Sequence, residues 1–162
     1  MSQSRLDVEH VRLTADKPFE RFTAAFKQQL GRFEPDVYKD FEAGADPAAI
    51  KARLESMAGP SGLMLFQTSN HGALLRIVGK PRKAMQYLLG NPLLAVEMTQ
   101  HAIGAGLYAP LRVLIYENEE GKTCVEYDRP SSLFGQFGDE RVDQMAAMLD
   151  RKLDDLLATA MC

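Results

Sequence analysis

The feature that most constrains the fold is a long, one-sided apolar stripe near the C-terminus. From about residue 139 to residue 159, apolar residues recur at helical spacing with acids and bases on the opposite side. A helix of this length has to cover its stripe with another apolar surface, so the chain must supply a sheet or a second helical layer. The stripe consists of Val142, Met145, Leu149, Leu153, Leu156 and Leu157.

Strand patterns lie ahead of this helix. Residues 111–116 and 123–127 flank a polar stretch that contains Gly121, and this arrangement predicts a β-hairpin. The apolar run 72–79 is too short for its periodicity to distinguish a strand from a helical turn. Further strands are predicted at residues 6–14, 62–68 and 84–89.

Two helix starts are clear from the sequence. Asp16 is a suitable N-cap and Pro18 suits the first turn of a helix with an aromatic face, which we expect Gly31 to end in the left-handed conformation. Asn91 and Pro92 have the same relation, with Asn91 as the N-cap and Pro92 at the first helical position. Strands with interposed helices predict an α+β fold, in which an antiparallel or mixed sheet carries helices on one face.

Size and composition narrow the remaining expectations. A chain of 162 residues has the size of one ordinary domain, so we expect a single domain over residues 1–162. The net charge is −3 with acids and bases interspersed, which argues against a nucleic-acid partner. Cys124 and Cys162 lie too far apart in sequence to suggest a secreted disulfide framework. Without a signal peptide or an apolar membrane span, we expect a cytoplasmic protein with no membrane partner.

A series of motifs between Leu63 and the C-terminus carries a family resemblance. They are Asn70-His71-Gly72, Gly90-Asn91-Pro92, the segment 110–116 and the segment 125–130. The region 63–162 resembles domain-of-unknown-function family 302, which is typified by a small thermophile protein. The resemblance implies a TATA-binding-protein-like α+β fold, with a curved antiparallel sheet of about five strands and helices packed mainly on one face. It also implies a homodimer, and it transfers no reaction.

Two of these motifs are candidate sites. Gly90 and Asn91 precede a helix whose free N–H groups favour an anion. The alternative, which we favour, is that Asn91 only caps the helix, because no glycine-rich loop or Lys-Ser/Thr pair follows it. His71 follows a predicted strand and is the candidate catalytic residue, acting as a general base, or else it is a structural hydrogen-bonding residue.

Tyrosines are expected to complete the site. The hydroxyls of four of the five tyrosines are predicted to converge at one end of the sheet, where amphipathic side chains form pocket walls; they are Tyr87, Tyr108, Tyr116 and Tyr127. From this set we predict four ligand-binding residues, which are Asn91, Gly90, Tyr127 and Tyr87.

Metal and cofactor binding are not expected. Glu97 and His101 are four residues apart on a predicted helix and should form a surface ion pair, since no second histidine lies at ligand spacing. Cys124 has the pattern of a buried strand residue, and a redox or metal role for it is the least favoured alternative. We therefore predict no metal site and no cofactor.

The preferred functional hypothesis is a homodimeric module that binds a small apolar or anionic ligand or a protein partner. The alternative is a small enzyme with His71 as general base near Asn91 and a tyrosine. Both place the histidine loop beside the start of the helix at Asn91, and this expectation is the one on which the predicted site depends.

Overall fold

A computed structural model describes residues 3–162 as an α+β structure with one mixed sheet. The strands are β1 (His10–Ala15), β2 (Gly31–Arg32), β3 (Met64–Ser69), β4 (Ala84–Gly90), β5 (Leu111–Glu117) and β6 (Thr123–Asp128). The helices are α1 (Phe19–Gln28), α2 (Val37–Glu42), α3 (Pro47–Ser56), α4 (His71–Leu74), α5 (Pro92–Thr99), α6 (Pro130–Phe134) and α7 (Glu140–Met161). Short 3₁₀ turns cover Leu75–Val78, Ile103–Tyr108 and Gly135–Phe137.

The sheet has the strand order β1-β6-β5-β4-β3-β2. All neighbours are antiparallel except β2, which runs parallel to β3. The predicted fold class is confirmed, with one addition. β2 is a sixth strand of only two residues, and so short a strand leaves no periodic signal in the sequence.

Helices α1 and α7 contact each other and cover one face of the sheet. The buried residues between them and the strands are called the main core: Ala15, Phe19, Phe22, Phe26, Leu63, Tyr87, Leu89, Met98, Ala105, Leu111, Val113, Ile115, Val125, Tyr127, Phe134, Val142, Ala146, Leu149, Leu153, Leu156, Leu157 and Ala160. A smaller group, called the corner cluster, is formed where α2 and α3 meet the β2–β3 edge: Phe33, Val37, Ile50, Leu54, Met57 and Met64.

The C-terminal helix agrees with its sequence pattern. The side chain of Asp139 accepts hydrogen bonds from the backbone N–H groups of Arg141 and Val142, at 2.9 and 3.1 Å, and so caps α7. Leu153, Leu156 and Leu157 of the apolar stripe are at most 1% exposed. The hairpin β5–β6 is also present, with Gly121 in the left-handed conformation that its turn requires.

The start and end of α1 differ from the prediction. Pro18 stands at the N-cap, while Asp16 is bound to Lys122 of the hairpin loop, with 2.6 Å between carboxylate and ammonium. Gly31 is not left-handed; it lies in β2, where an added Cβ would overlap the carbonyl oxygen of Met57 and the backbone of Gly59. Glycine is therefore needed there for close approach of two backbone segments and not for chain reversal.

The ambiguous run 72–79 is neither a strand nor part of the core. It forms most of α4 and the following 3₁₀ turn, and Gly79 ends that turn with φ 71°. Leu74, Ile77 and Val78 are 61%, 85% and 64% exposed. Within residues 3–162, no helix is both long and apolar enough to cross a bilayer.

Candidate functional site: an apolar cavity beside Asn91

An apolar cavity of about 310 Å³ lies between the main core and the corner cluster. Strand β3 begins and β4 ends at this side of the sheet, because Met64 is paired with Gly90. Helix α5 starts directly after Gly90 and forms one wall. The lining residues are Phe33, Val37, Tyr38, Phe41, Leu54, Phe66, Gly90, Asn91, Pro92, Leu94, Ala95, Val96, Met98, Thr99, Ala109, Pro110, Leu111, Phe134 and Leu149.

Asn91 fixes the start of α5 at the cavity wall. Its Oδ1 accepts a hydrogen bond from the backbone N–H of Leu93 at 2.9 Å, and its Nδ2 donates to the carbonyl oxygen of Gly62 at 2.9 Å. The first bond makes Asn91 the N-cap, as predicted, and the second joins the helix start to the turn before β3. Asn91 is therefore occupied in holding the wall of the cavity in place.

Gly90 widens the cavity. An added Cβ would meet Phe66 and Pro110 at 3.7 Å, which is ordinary van der Waals contact. The absence of a side chain at this position leaves space between β4, β5 and the edge of the sheet. Gly90 and Asn91, two of the four predicted ligand-binding residues, therefore both line the cavity.

Aromatic rings form the outer wall. Phe33 stacks on Phe66 with ring centroids 4.4 Å apart, and Tyr38 meets Phe33 edge-on at 5.9 Å. Tyr38 and Phe41 of α2 stand at the mouth and are 58% and 54% exposed. Across the mouth, Val96 of α5 is 55% exposed. The opening of the cavity is thus apolar and faces solvent.

His71 lies at the other end of the sheet, so the predicted proximity to Asn91 is wrong. Because β3 and β4 are antiparallel, Ser69 at the end of β3 pairs with Gln86 near the start of β4, whereas Gly90 pairs with the start of β3. Asn70 caps the four-residue α4 through a 2.8 Å hydrogen bond from Ala73, and His71 is exposed at its first position. The enzyme arrangement of His71, Asn91 and a tyrosine is not present.

The other two predicted ligand-binding residues, Tyr87 and Tyr127, belong to the main core. Tyr87 packs on Phe26 with centroids 5.1 Å apart, and its burial raises the pKa of its hydroxyl. The hydroxyl of Tyr127 donates to Asp154 of α7 at 3.1 Å. Burial, followed by the charge of Asp154, raises the pKa of Tyr127 to about 12. Both hydroxyls stay protonated at neutral pH, and neither residue lines the cavity.

The remaining two tyrosines are also dispersed. Tyr108 meets Phe134 and Phe137 edge-on at 6.2 Å each. Tyr116 lies on the sheet face opposite α1 and α7, where its hydroxyl donates to Glu126 at 2.6 Å. This hydrogen bond is the first cause that raises the pKa of Tyr116 to about 12. The predicted convergence of the four tyrosines does not occur: alternation along the strands puts Tyr116 on the face opposite Tyr87 and Tyr127, and Tyr108 lies in a 3₁₀ turn.

A polar cluster on that opposite face was not anticipated from the sequence. His10 of β1 bonds to Asp128 and Glu126 at 3.0 and 3.1 Å, and the Nε of Arg12 donates to Glu126 at 2.7 Å. Hydrogen bonds, first from Tyr116 and then from Arg12 and His10, lower the pKa of the Glu126 carboxyl. These bonds fasten β1 to β6, and cross-strand pairing is a sufficient account of them.

The proposed ion pair between Glu97 and His101 is not formed. Helix α5 ends at Thr99, so His101 lies beyond the helical face, and Glu97 accepts from the side chain of Gln100 at 2.9 Å. Cys124 is buried 3.8 Å from the hydroxyl of Thr14. Among residues 3–162, no group of three His, Cys, Asp or Glu side chains is placed to hold a metal ion.

Comparison with known proteins agrees with the resemblance read from the motifs. Residues 39–160 match the family model described as "Domain of unknown function DUF302". The crystal structure of an uncharacterized conserved protein DUF302 from Bacillus stearothermophilus is similar, with a TM-score of 0.65 and 14% identity, covering 93% of this chain and 97% of that chain. At this identity the likeness establishes the fold alone. No curated protein matches the chain.

Proposed function

The chain belongs to the DUF302 family, and from that premise we propose that it is a binding domain that holds a small, largely apolar ligand in the cavity beside Asn91. The observation that supports this proposal is the cavity itself, about 310 Å³ in volume and lined almost wholly by apolar side chains. An apolar cavity of about 150 Å³ is sufficient to bind benzene. The present cavity has room for a bicyclic ring or an alkyl chain.

The mouth of the cavity supports the same proposal. Tyr38, Phe41 and Val96 are all more than half exposed around it. Exposed apolar side chains that gather at one place mark interaction sites, whereas isolated ones carry no such meaning. A ligand that enters the cavity would cover part of these side chains and remove their apolar surface from water.

The polar groups on the wall limit the chemistry of the ligand within the cavity. Asn91 already uses its Oδ1 and Nδ2 in hydrogen bonds to the backbone. Of the other lining residues, Tyr38 and Thr99 carry side-chain hydroxyls. A ligand portion with many polar atoms would lose water without gaining partners here, so the bound portion is expected to be apolar.

A fluorescence titration tests the proposal directly. The chain contains no tryptophan, so a neutral apolar fluorophore such as N-phenyl-1-naphthylamine can be followed without tryptophan background. We expect saturable binding of one molecule per chain. The Ala95→Leu variant fills the cavity from α5 and should weaken binding by about tenfold or more, since added atoms occupy the space of the ligand.

The matched control is Ala24→Leu, the same change at an exposed position of α1 that does not line the cavity. It should bind the fluorophore as the unmodified protein does. Far-UV circular dichroism establishes that both variants fold. Equal binding by Ala95→Leu and the unmodified protein, or no saturable binding by the latter, would contradict the proposal.

We also propose that the chain forms a homodimer, as the family resemblance implies. The sheet face opposite α1 and α7 supports this proposal. Leu88 and Leu114 are half-buried there between charges of both signs, which suits a self-complementary two-fold contact. Sedimentation equilibrium should give a dimer for the unmodified protein and for Ala24→Lys, a change on helix α1 at the other face of the sheet, and a monomer for Leu114→Lys. A monomeric unmodified protein would contradict the proposal.

A further inference from the structure

A second hollow, here called the basic cleft, lies at the edge of the sheet beside the apolar cavity. It has a volume of about 540 Å³ and follows β2 and β3. Its polar lining consists of Lys27, Arg32, Gln67 and Thr68. No carboxylate is among its lining residues. The cleft is therefore a local concentration of positive charge and hydrogen-bond donors.

The two cations of the basic cleft have no carboxylate partner. Within residues 3–162, neither Lys27 nor Arg32 forms a salt bridge, so no carboxylate side chain competes with a ligand for them. Glu34, which is close to Arg32 in sequence, is paired instead with Arg53 at 3.4 Å. Both cations are exposed and are free to bind an anion.

The basic cleft and the apolar cavity share a boundary. Phe33 and Phe66, whose stacked rings lie 4.4 Å apart, line both hollows. A ligand that spans the two hollows would therefore pass this single pair of rings. Phe66 is only half-buried, so the ring pair leaves this border accessible from solvent.

We propose that the ligand is an amphipathic anion: an alkyl or acyl chain in the apolar cavity, with a carboxylate or phosphate head group held by Arg32 and Lys27. This inference rests on the proposed function of the cavity. The planar fork of an arginine side chain matches the two oxygens of such a head group, and lysine adds a point charge. The cavity, which offers few polar groups, supplies the apolar contact.

Displacement of the neutral fluorophore by three ligands of equal chain length tests the inference. Decanol presents the chain alone, whereas decanoate and decyl phosphate add the two kinds of head group. We expect both anions to bind about tenfold more tightly than decanol, the gain typical of a hydrogen bond to a charged group. Increasing salt should weaken the anions and leave decanol unchanged, because exposed charges are screened.

Two variants and a control assign the effect to the cleft. Arg32→Gln and Lys27→Gln should each remove most of the advantage of the anions and leave decanol binding unchanged. Lys80→Gln alters an exposed lysine that follows the 3₁₀ turn after α4, and it should have no effect. If decanol and the anions bound equally and Arg32→Gln had no effect, the inference would be overturned. The proposed function of the cavity would remain intact. Failure of all three compounds to displace a saturably bound fluorophore would overturn this inference alone, whereas the absence of saturable fluorophore binding would overturn both.

Discussion

The main core and the corner cluster are built from the same kinds of residue but pack differently. In the main core, Phe22, Phe26 and Phe134 are completely buried. In the corner cluster, Phe33 and Val37 are also buried, but the cavity of about 310 Å³ opens beside them and Phe41 of the same helix faces solvent. Residues of both regions line the cavity, with Phe134 and Leu149 among those of the main core, but its exposed aromatic side chains belong to α2 at the corner.

The difference follows from the lengths of the covering elements. Helix α7 has 22 residues and α1 has 10, so together they extend across the central strands. At the corner, α3 also has 10 residues, but α2 has only six and β2 has two. Elements this short cannot fill the space at the edge of the sheet to the density of a protein interior. The region that contributes least to stability is therefore where a ligand can bind.

The largest expected effect on the free energy of unfolding comes from truncating one aromatic ring in the main core, in comparison with one at the mouth of the cavity. Phe26→Ala removes a fully buried ring that packs on Tyr87 and should lower the free energy of unfolding by about 3–5 kcal/mol. Phe41→Ala removes a ring that is 54% exposed and should cost less than about 1 kcal/mol. Urea denaturation followed by far-UV circular dichroism measures both values.

Ligand binding should show the reverse order. Phe41→Ala removes part of the mouth and should weaken the neutral fluorophore, whereas a folded Phe26→Ala protein should keep its affinity, since Phe26 does not line the cavity. Equal destabilisation by the two changes would show that the corner cluster is as tightly packed as the main core, and the comparison between the two regions would fail.

A smaller effect is expected at the contact of β2 with the end of α3. In Gly31→Ala the new Cβ would overlap backbone atoms of Met57 and Gly59, and we expect a loss of about 2–3 kcal/mol together with loss of ligand binding. The cost stays below that of Phe26→Ala, because a two-residue edge strand can be displaced while the main core remains folded. Gly106→Ala is the control, since its nearest contact would be a methyl group of Thr99 at 3.7 Å.

Urea denaturation of the two glycine variants distinguishes the explanations. Gly106→Ala should remain within about 0.5 kcal/mol of the unmodified protein. If Gly31→Ala were equally harmless, the corner would have to be loose enough to move the two backbone segments apart at no cost, and its cavity would not be a defined site.

The next effect concerns the cap between the two regions. Asn91→Ala deletes the N-cap bond to Leu93 and the bond to the carbonyl of Gly62, and it should cost about 1–2 kcal/mol. Asn70→Ala deletes only the cap of the exposed four-residue helix α4 and should cost about 0.5 kcal/mol. The melting temperatures of the two variants, measured side by side, give the comparison. A larger loss of melting temperature for Asn70→Ala would contradict the role of Asn91 in joining the start of α5 to the turn before β3.

Sequence patterns predict the main core far better than the corner. The aromatic repeat of α1, the stripe of α7 and the β5–β6 hairpin each cover several periods, so their period and turn residues indicate the element correctly. The helix α2 is shorter than two turns and the strand β2 has only two residues, so neither leaves a periodic pattern in the sequence. The pattern around Gly31 predicts a helix end, because sequence alone does not show that Met57 and Gly59 approach it.

Only part of the candidate site was predicted, again because sequence signals are local and do not show which segments approach each other. Gly90 and Asn91 were found because a strand end and a helix start meet there in sequence, and both signals are local. The sequence predicts His71 beside them because its local patterns do not specify the direction of β3 relative to β4. Two antiparallel strands joined by a connection put the residue after the first strand at the start of the second. His71 therefore lies near the start of β4, whereas Gly90 lies at its end, about one strand length away.

The smallest effect should come from the polar cluster behind the main core. Hydrogen bonds to Asp128, then to Glu126, raise the pKa of His10 above its ordinary value near 6.5. The stability that these bonds contribute is therefore fully present below the pKa of His10 in the unfolded chain. It is lost as the pH rises through the pKa of His10 in the folded protein. The difference in unfolding free energy between the unmodified protein and His10→Gln should be larger at about pH 5.5 than at about pH 8.5. Because the side chain of His10 is 53% exposed, solvent screening should keep it below about 1 kcal/mol.

Glu126 does not reverse the sign of this pH dependence. Its lowered pKa gives a contribution that is present above the unfolded pKa of a glutamate, and that contribution stays constant over the same pH interval. Val8→Ala, a change at an exposed residue without a titratable side chain, is the control and should show no such pH dependence. An equal pH dependence in both variants would mean that the cluster does not fasten β1, and the main core would then owe its stability to apolar packing alone.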